Sequence, residues 1–205
     1  MSTEAPSGTT GYDKVAATLL STRLRFEDVH RHILHLFPAR PGRVLDVGAG
    51  PGHDAAEFAR RGHGVTAVEP TTQLRQGAMA LYPEFPIVWL DDSLPRLERL
   101  RETRPAPFDF ILLEGVWAHL ERAERASAFP RLAELLAQAG VLAISLRHGP
   151  AAPGRLTHKV TGAETVELAE ASGLRTLVNV ETGSIQQANI ASGVTWTRMA
   201  FGRPR

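Results

Sequence analysis

The chain contains 205 residues, with a net charge of +1 at pH 7, 43% hydrophobic residues and no cysteine. This length suits one α/β domain with a single core, and the missing cysteine excludes disulfides, thiolate metal sites and thiol nucleophiles. The 23 basic and 22 acidic residues form no basic stripe of the kind that follows a nucleic-acid backbone.

The polar residues 1–11 are predicted to be a disordered leader, because they lack the basic and apolar regions of a signal peptide. The sequence contains no run of about 18 consecutive apolar residues, the length that suggests a membrane-spanning helix. We therefore expect a cytoplasmic protein, monomer or homodimer, that binds neither a membrane nor nucleic acid. Apolar residues then recur at helical spacing from Tyr12 to Phe37, before Pro38. This spacing predicts an N-terminal cap helix over 12–37 in a single domain over 12–205.

After this helix, strands alternate with helices. Short runs rich in Val, Ile and Leu predict strands at 43–47, 64–68, 86–90, 108–113 and 141–146, and helical patterns lie at about 54–61, 72–81, 95–103, 121–138 and 163–172. This alternation predicts an α/β fold with a parallel sheet covered on both faces. Two last strands at 174–181 and 194–201 are too close in sequence for a crossover helix between them, so we expect an antiparallel C-terminal hairpin.

The first predicted strand ends in a glycine-rich turn that indicates a cofactor site. Asp46 is followed by Gly48, Ala49, Gly50, Pro51 and Gly52, and the next helix opens with His53 and Asp54. Glycines let the backbone turn sharply near a ligand, and a helix start offers unpaired N–H groups. Glu69 ends the second strand, where a carboxylate can accept hydrogen bonds from both ribose hydroxyls.

The charge around this turn favours one cofactor over another. The dinucleotide motif G-x-G-x-x-G would need glycine at position 53, which is His53, and Asp46 would repel a pyrophosphate. S-adenosylmethionine carries an ammonium and a sulfonium but no phosphate, so it suits these residues better. A nicotinamide-dependent oxidoreductase is the disfavoured alternative.

Four segments, VLDVGAGPGHDA, VTAVEP, FDFILLEGVWAHL and GVLAISLRHG, occur in the order and spacing of the class I S-adenosylmethionine-dependent methyltransferases, which the chain resembles from about 12 to 201. The resemblance implies a three-layer Rossmann-like methyltransferase sheet and S-adenosyl-L-methionine as the cofactor. It implies that Asp46 holds the amino group near the glycine loop, and that Glu69 and Pro70 lie at the ribose. It also implies that Glu114, Gly115 and Val116 lie at the methionine side, and that the segment Asp91, Asp92, Ser93 and Leu94 lies at adenine. Which of the two aspartates contacts adenine is left open by the spacing, and Asp92 is favoured.

Candidate residues for the methyl acceptor follow the fourth and fifth strands. Trp117 offers an aromatic wall, and His119 is either a general base or a structural histidine. Arg147 and His148 follow the fifth strand, and Arg147 and Arg155 either bind a substrate carboxylate or phosphate or are surface charges. The histidines lack the i, i+4 spacing of zinc sites, so no metal is expected.

These residues predict an enzyme that moves a methyl group to an O, N, S or C nucleophile of a small molecule. Methyltransferases acting on nitrogen of DNA or of protein amides often carry an N/D-P-P-Y/F motif after the fourth strand, and this chain has Glu114 followed by Gly115 and Val116 there. A protein that binds S-adenosylmethionine without transferring its methyl group is the second hypothesis, because a fold does not establish a function.

Overall fold

The computed structural model describes residues 8–204. Its seven strands form one sheet, in the order β3-β2-β1-β4-β5-β7-β6. Strand β7 runs antiparallel to β5 and β6, and the other neighbours are parallel, so the predicted mostly parallel sheet with a C-terminal antiparallel hairpin is confirmed. The strands are β1 (Arg43–Val47), β2 (Gly64–Val68), β3 (Val88–Leu90), β4 (Phe108–Leu113), β5 (Leu136–His148), β6 (Arg175–Gly183) and β7 (Thr195–Gly202).

Helices cover both faces of the sheet and give three layers. They are α1 (Tyr12–Ser21), α2 (Phe26–His30), α3 (His53–Arg60), α4 (Thr72–Leu81), α5 (Glu98–Glu102), α6 (Arg122–Leu135), α7 (Gly162–Ala171) and α8 (Gln187–Ala191), with 3-10 turns at Leu34–Leu36 and Trp117–His119. Successive strand residues point to opposite faces. Val44 therefore packs with Phe58 on one face, while Leu45 joins the cluster of Phe129 on the other.

The expected continuous helix over 12–37 is wrong. Helix α1 ends at Ser21, because Thr22 turns into extended backbone and its hydroxyl donates to the Thr18 carbonyl at 2.8 Å. After four residues the chain restarts as α2, whose Phe26 is buried beside Phe58. The apolar residues of α1 and α2 continue the same helical spacing, although the two helices pack on different partners. The spacing therefore gives no sign that the helix ends between them.

Helix α1 and the described residues before it lie over the carboxyl edge of the sheet. Leu20 of α1 packs onto Gly77 of α4, where a Cβ would collide with it. Residues 8–11 of the expected leader form a turn, and Gly8 lies directly against His119. The rest of that leader, 1–7, lies outside the described residues. Within residues 8–204, no helix combines the length and the apolar character that crossing a membrane requires.

Candidate functional site

A cavity of about 690 Å³ opens at the carboxyl ends of the central strands, beneath α1. Ligands in open α/β sheets bind at this edge. The cavity is lined by most of the residues singled out in the sequence, namely Asp46, Gly48, Ala49, Gly50, His53, Asp54, Glu69, Pro70, Asp92, Ser93, Leu94, Glu114, Gly115, Val116, His119 and Arg147. Three expected residues do not line it: Asp91, Trp117 and His148.

The glycine loop is fastened to the end of β2 through Glu69. Gly48 has φ of 71°, and a Cβ there would overlap the Val116 side chain, so both the turn and the packing require glycine. The Gly50 N–H donates to Glu69 Oε2 at 2.8 Å, and the Thr71 N–H donates to Oε1 at 2.7 Å. Burial raises the pKa of Glu69, and these backbone donors oppose that rise. The Glu69 carboxylate is thus held rigidly beside the loop.

Asp46 is a buried carboxylate that lacks a counter-charge. Its side chain is only 2% exposed, and Oδ2 has no hydrogen-bond partner among the described residues. Burial raises its pKa well above the usual value, and the neighbouring carboxylates of Asp54, Glu69 and Glu114 raise it further. A buried anion in acidic surroundings costs free energy unless a cation neutralises it. The site is therefore built to receive a positively charged group.

The first turn of α3 ties the loop to the N-terminal segment. Asp54 lies 3.0 Å from His30 Nε2 of α2. Burial disfavours a charged His30, but Asp54 outweighs it and raises the pKa of His30 above its usual value. His53 lies 2.6 Å from the Tyr82 hydroxyl and 2.8 Å from the Thr22 carbonyl. Both predicted residues line the cavity, and each also holds α1 or α2 in place.

The two adjacent aspartates after β3 have different surroundings. Asp92 lines the cavity and accepts backbone N–H groups from Ser93 at 2.9 Å and from Leu100 at 2.8 Å. Asp91 instead pairs with Arg75 at 3.0 Å and is not among the residues lining the cavity. Of the two aspartates that the sequence left open, the structure thus places the favoured Asp92 at the cavity, whereas Arg75 holds the Asp91 side chain away from it.

Trp117 is also placed differently from the expectation. Its side chain is completely buried and packs edge-on against Phe129 in the core beneath the sheet, so the expected aromatic wall is wrong at this position. Trp196 of β7 lines the cavity instead, and a Cβ on Gly115 would lie 3.8 Å from its ring. The sequence feature that could have indicated this role is the position of Trp196 at the start of the last strand.

Strand alternation explains which residues of β5 and β7 reach the cavity. Arg147 pairs with Trp196 and Ser145 with Arg198, and directly opposite residues share a face. His148 points to the other face, where its Nε2 lies 2.7 Å from the Thr197 hydroxyl, so its expected substrate contact is wrong.

A buried ion pair that the sequence did not indicate closes the floor of the cavity. Arg198 Nη1 donates to both carboxylate oxygens of Glu114 at 2.6 Å. The Arg198 guanidinium also lies 4.9 Å from the centre of the Trp196 ring. Glu114 is therefore already neutralised, unlike Asp46.

His119 forms a hydrogen-bonded chain with Tyr12 of α1. Its Nδ1 lies 2.7 Å from the Leu156 carbonyl oxygen, which only accepts, so Nδ1 carries the proton. Burial lowers the pKa of His119 and keeps the ring neutral, and Arg155 and Arg147 add to this effect. Nε2 is then an acceptor, and the Tyr12 hydroxyl donates to it at 2.8 Å. Because Nε2 already accepts from Tyr12, the neutral ring can take up a proton from a bound ligand through the Tyr12 hydroxyl.

Comparison with known proteins agrees with this arrangement. A family model described as a methyltransferase domain matches residues 21–180. An uncharacterized methyltransferase of Mycobacterium tuberculosis is 34% identical over 112 residues, which are 52% of this chain and 54% of that protein. A protein of Mycobacterium bovis with the same description matches to the same extent. The chain spans about half the length of these curated relatives.

Solved methyltransferases share the fold at low sequence identity. The magnesium protoporphyrin IX methyltransferase of Synechocystis, with bound S-adenosylhomocysteine, superposes with a TM-score of 0.70 at 15% identity, covering 95% of this chain and 94% of that chain. The 1,6-didemethyltoxoflavin-N1-methyltransferase of Burkholderia thailandensis has a TM-score of 0.66 at 22% identity, covering 95% and 79%. The chain belongs to the methyltransferase-domain family, and its fold is that of the class I S-adenosylmethionine-dependent methyltransferases.

Proposed function

We propose that this protein is an enzyme that transfers a methyl group from S-adenosylmethionine to a small-molecule acceptor. The observation that carries the proposal is the buried Asp46 Oδ2, which lines the cavity and has no partner within residues 8–204. An ammonium group would satisfy this oxygen and neutralise the surrounding acids, whereas a pyrophosphate would add to their repulsion. The residues present therefore fit S-adenosylmethionine and do not fit a dinucleotide.

The remaining cofactor contacts follow from the order of the residues along the sheet edge. Each Glu69 oxygen accepts one backbone N–H and keeps a lone pair for a ribose hydroxyl. Asp92 and the apolar Leu94 lie at the end of β3, where adenine would be bound. The proposed cofactor residues are Asp46, Gly48, Ala49, Gly50, His53, Asp54, Glu69, Pro70, Asp92, Ser93, Leu94, Glu114, Gly115 and Val116.

We call the part of the cavity formed by Tyr12, His119, Arg147, Arg155 and Trp196 the acceptor end. S-adenosylmethionine, when bound, supplies an electrophilic methyl group on an activated sulfonium leaving group. The chain's task is to position the nucleophile in line with that methyl group and to take its proton. His119 Nε2 is the proposed proton acceptor, acting through the Tyr12 hydroxyl, which passes its own proton to Nε2 while receiving that of the acceptor.

Several features support a small-molecule acceptor. The cavity of about 690 Å³ lies beneath α1, and the structural relative from Burkholderia thailandensis was solved with the small molecule 1,6-didemethyltoxoflavin bound. The proposal includes a cytoplasmic location, supported by a chain free of cysteine, and a monomer or homodimer.

The direct test of this function compares ligands on the purified protein. Calorimetric titration should show micromolar binding of S-adenosylmethionine and S-adenosylhomocysteine and far weaker binding of NAD, because the acids repel the pyrophosphate. Comparable affinity for NAD would contradict the cofactor assignment. A methyl-transfer screen over small acceptors then separates an enzyme from a protein that only binds the cofactor.

Removing the Glu69 carboxylate should weaken cofactor binding. Glu69→Ala is expected to reduce the affinity for S-adenosylhomocysteine by about 1.5–3 kcal/mol, the range for hydrogen bonds to a charged group. The loop also loses its acceptor for the Gly50 N–H. Glu57→Ala is the matched control, since Glu57 lines the cavity but already binds Arg60 and Arg61. Unchanged affinity in a folded Glu69→Ala variant would show that the ribose contact is misassigned.

A further inference from the structure

Two arginines approach the acceptor end of the cavity from one side. Arg147 leaves β5 on the same face as Trp196, and its guanidinium donates to the Pro150 carbonyl at 2.6 Å. Arg155 lies in the connection between β5 and α7, with its guanidinium carbon 5.0 Å from the centre of the Tyr12 ring. Both line the cavity. The positive charges are thus held beside the Tyr12–His119 pair.

Neither charge is neutralised by the described part of the chain. Among residues 8–204, no carboxylate forms an ion pair with Arg147 or Arg155, and the Nε of Arg155 is buried without a hydrogen-bond partner. The two buried arginines of this range differ, because Arg125 pairs with Glu164 at 3.0 Å and Arg198 with Glu114 at 2.6 Å. Burial lowers the pKa of Arg147, and the nearby charge of Arg155 lowers it further.

Paired, partly desolvated guanidinium groups without a counter-ion make a binding site for an anion. Their planar donors match the two oxygens of a carboxylate. A cationic amine would be repelled from the same place. A flat ring beside Arg147 would have the indole of Trp196 as a wall, because the two side chains share one face of the sheet.

We propose that the methyl acceptor is an aromatic hydroxy acid, a proposal that rests on the methyl transfer proposed above. Its carboxylate is bound by Arg147 and Arg155, and its hydroxyl faces the Tyr12–His119 pair. The hydroxyl oxygen forms a bond to the methyl carbon as the bond from that carbon to sulfur breaks. The hydroxyl proton moves to the Tyr12 oxygen as Tyr12 passes its own proton to His119 Nε2. The products are a methyl ether and neutral S-adenosylhomocysteine, so the charge balances between the lost sulfonium and the gained imidazolium.

Besides burial, the arginine pair also explains the low basicity of His119. Arg155, Arg147 and His158 all disfavour a protonated ring, and Tyr12 donates to its Nε2. A carboxylate bound between the two arginines offsets their field, which makes the imidazolium easier to form once the acceptor is in place. The base is thus strengthened by the substrate that needs it.

The test uses protein loaded with S-adenosylhomocysteine and a matched panel of probes. The panel consists of the ortho, meta and para hydroxybenzoates, the corresponding hydroxybenzamides, hydroxyphenylphosphonates and hydroxybenzylamines. At least one hydroxybenzoate should bind about tenfold or more tightly than its amide, which corresponds to one charge-assisted contact. Arg147→Gln and Arg155→Gln should each remove this preference without changing the affinity for S-adenosylhomocysteine. Arg60→Gln is the control, since Arg60 lines the cavity but is already bonded to Glu57.

The outcomes separate this inference from the proposed function. Failure of the unloaded wild-type protein to bind S-adenosylhomocysteine would contradict the function itself. Binding of S-adenosylhomocysteine with no preference for carboxylates, with a preference that survives in either arginine variant, or with tighter binding of the phosphonates or amines, would overturn the carboxylate site alone. In turnover with S-adenosylmethionine, an alkali-stable methyl ether supports the hydroxyl as the nucleophile. An alkali-labile methyl ester would instead make the carboxylate the nucleophile and overturn the anchoring role.

Discussion

His119→Gln should lower kcat by about 10²–10⁴-fold, the range for loss of a general base, while leaving the affinity for S-adenosylhomocysteine unchanged. Glutamine can still donate to the Leu156 carbonyl and accept from the Tyr12 hydroxyl, but it cannot take a proton. The measurement is single-turnover kinetics with an accepted substrate, combined with cofactor titration. His148→Gln is the matched control, because that ring points to the opposite face of the sheet. An undiminished kcat in His119→Gln would leave His119 a structural residue.

The pH profile gives a second readout of the same base. Burial, followed by Arg155 and Arg147, lowers the pKa of His119 below 6.5, so the ring is neutral and active at neutral pH. The value of kcat/KM should therefore be constant near neutral pH and decrease only as the pH falls below 6.5 and passes through the pKa of His119 in the folded protein. The stability contributed by the neutral ring is fully present above 6.5 and is lost over the same acid range. His119→Gln should remove this acid limb from its residual rate.

Asp46→Asn should make the protein more stable and a poorer binder of S-adenosylmethionine. The isosteric amide removes a buried anion that the carboxylates of Asp54, Glu69 and Glu114 repel, and we expect a gain of about 0.5–2 kcal/mol in the free energy of unfolding. It also removes the counter-charge for the amino group, which should weaken binding by about 10–100-fold. Denaturant unfolding and calorimetry measure the two effects.

The sign of the stability effect can be checked by pH. The folded pKa of Asp46 is raised, so the stability contributed by its protonated form is fully present below the unfolded value of 3.8 and is lost as the pH rises through the folded pKa. The advantage of Asp46→Asn should therefore be largest at neutral pH and shrink in acid. A variant that is less stable at neutral pH, or that binds the cofactor as tightly as the wild type, would contradict the role assigned to Asp46.

Three strands of the sheet could be predicted closely because their signals are local, whereas β5 begins at Leu136, inside the helix predicted at about 121–138. The predicted bounds 43–47, 64–68 and 108–113 agree with β1, β2 and β4, since each is a short apolar run between turn residues. The glycine loop and Glu69 were equally visible, because a turn at a strand end fixes where those side chains go. The order of residues in the sequence therefore predicted which of them line this side of the cavity.

The other side of the cavity depends on contacts between distant residues. Tyr12 meets His119 across 107 positions, and Glu114 meets Arg198 across 84, so no local pattern can indicate either pair. Trp117 and His148 were misplaced for a related reason, because one residue along a turn or strand changes the face on which a side chain lies. Only the register of β5 against β7 shows that Arg147 lies on the cavity face of the sheet and His148 on the opposite face.

The cavity wall is drawn from two kinds of segment, and this division affects how the protein can diverge. Asp46 belongs to β1, and the glycine loop and Glu69 directly follow β1 and β2, so the central strands of the sheet set their positions. Tyr12, Arg155 and Trp196 come from the N-terminal helix, a surface connection and the last strand. Under the proposed function, substitutions in these outer segments would change which methyl acceptor binds while leaving the proposed cofactor contacts in place. Laboratory evolution of new acceptors should therefore concentrate its libraries on residues 8–26, 147–158 and 184–196.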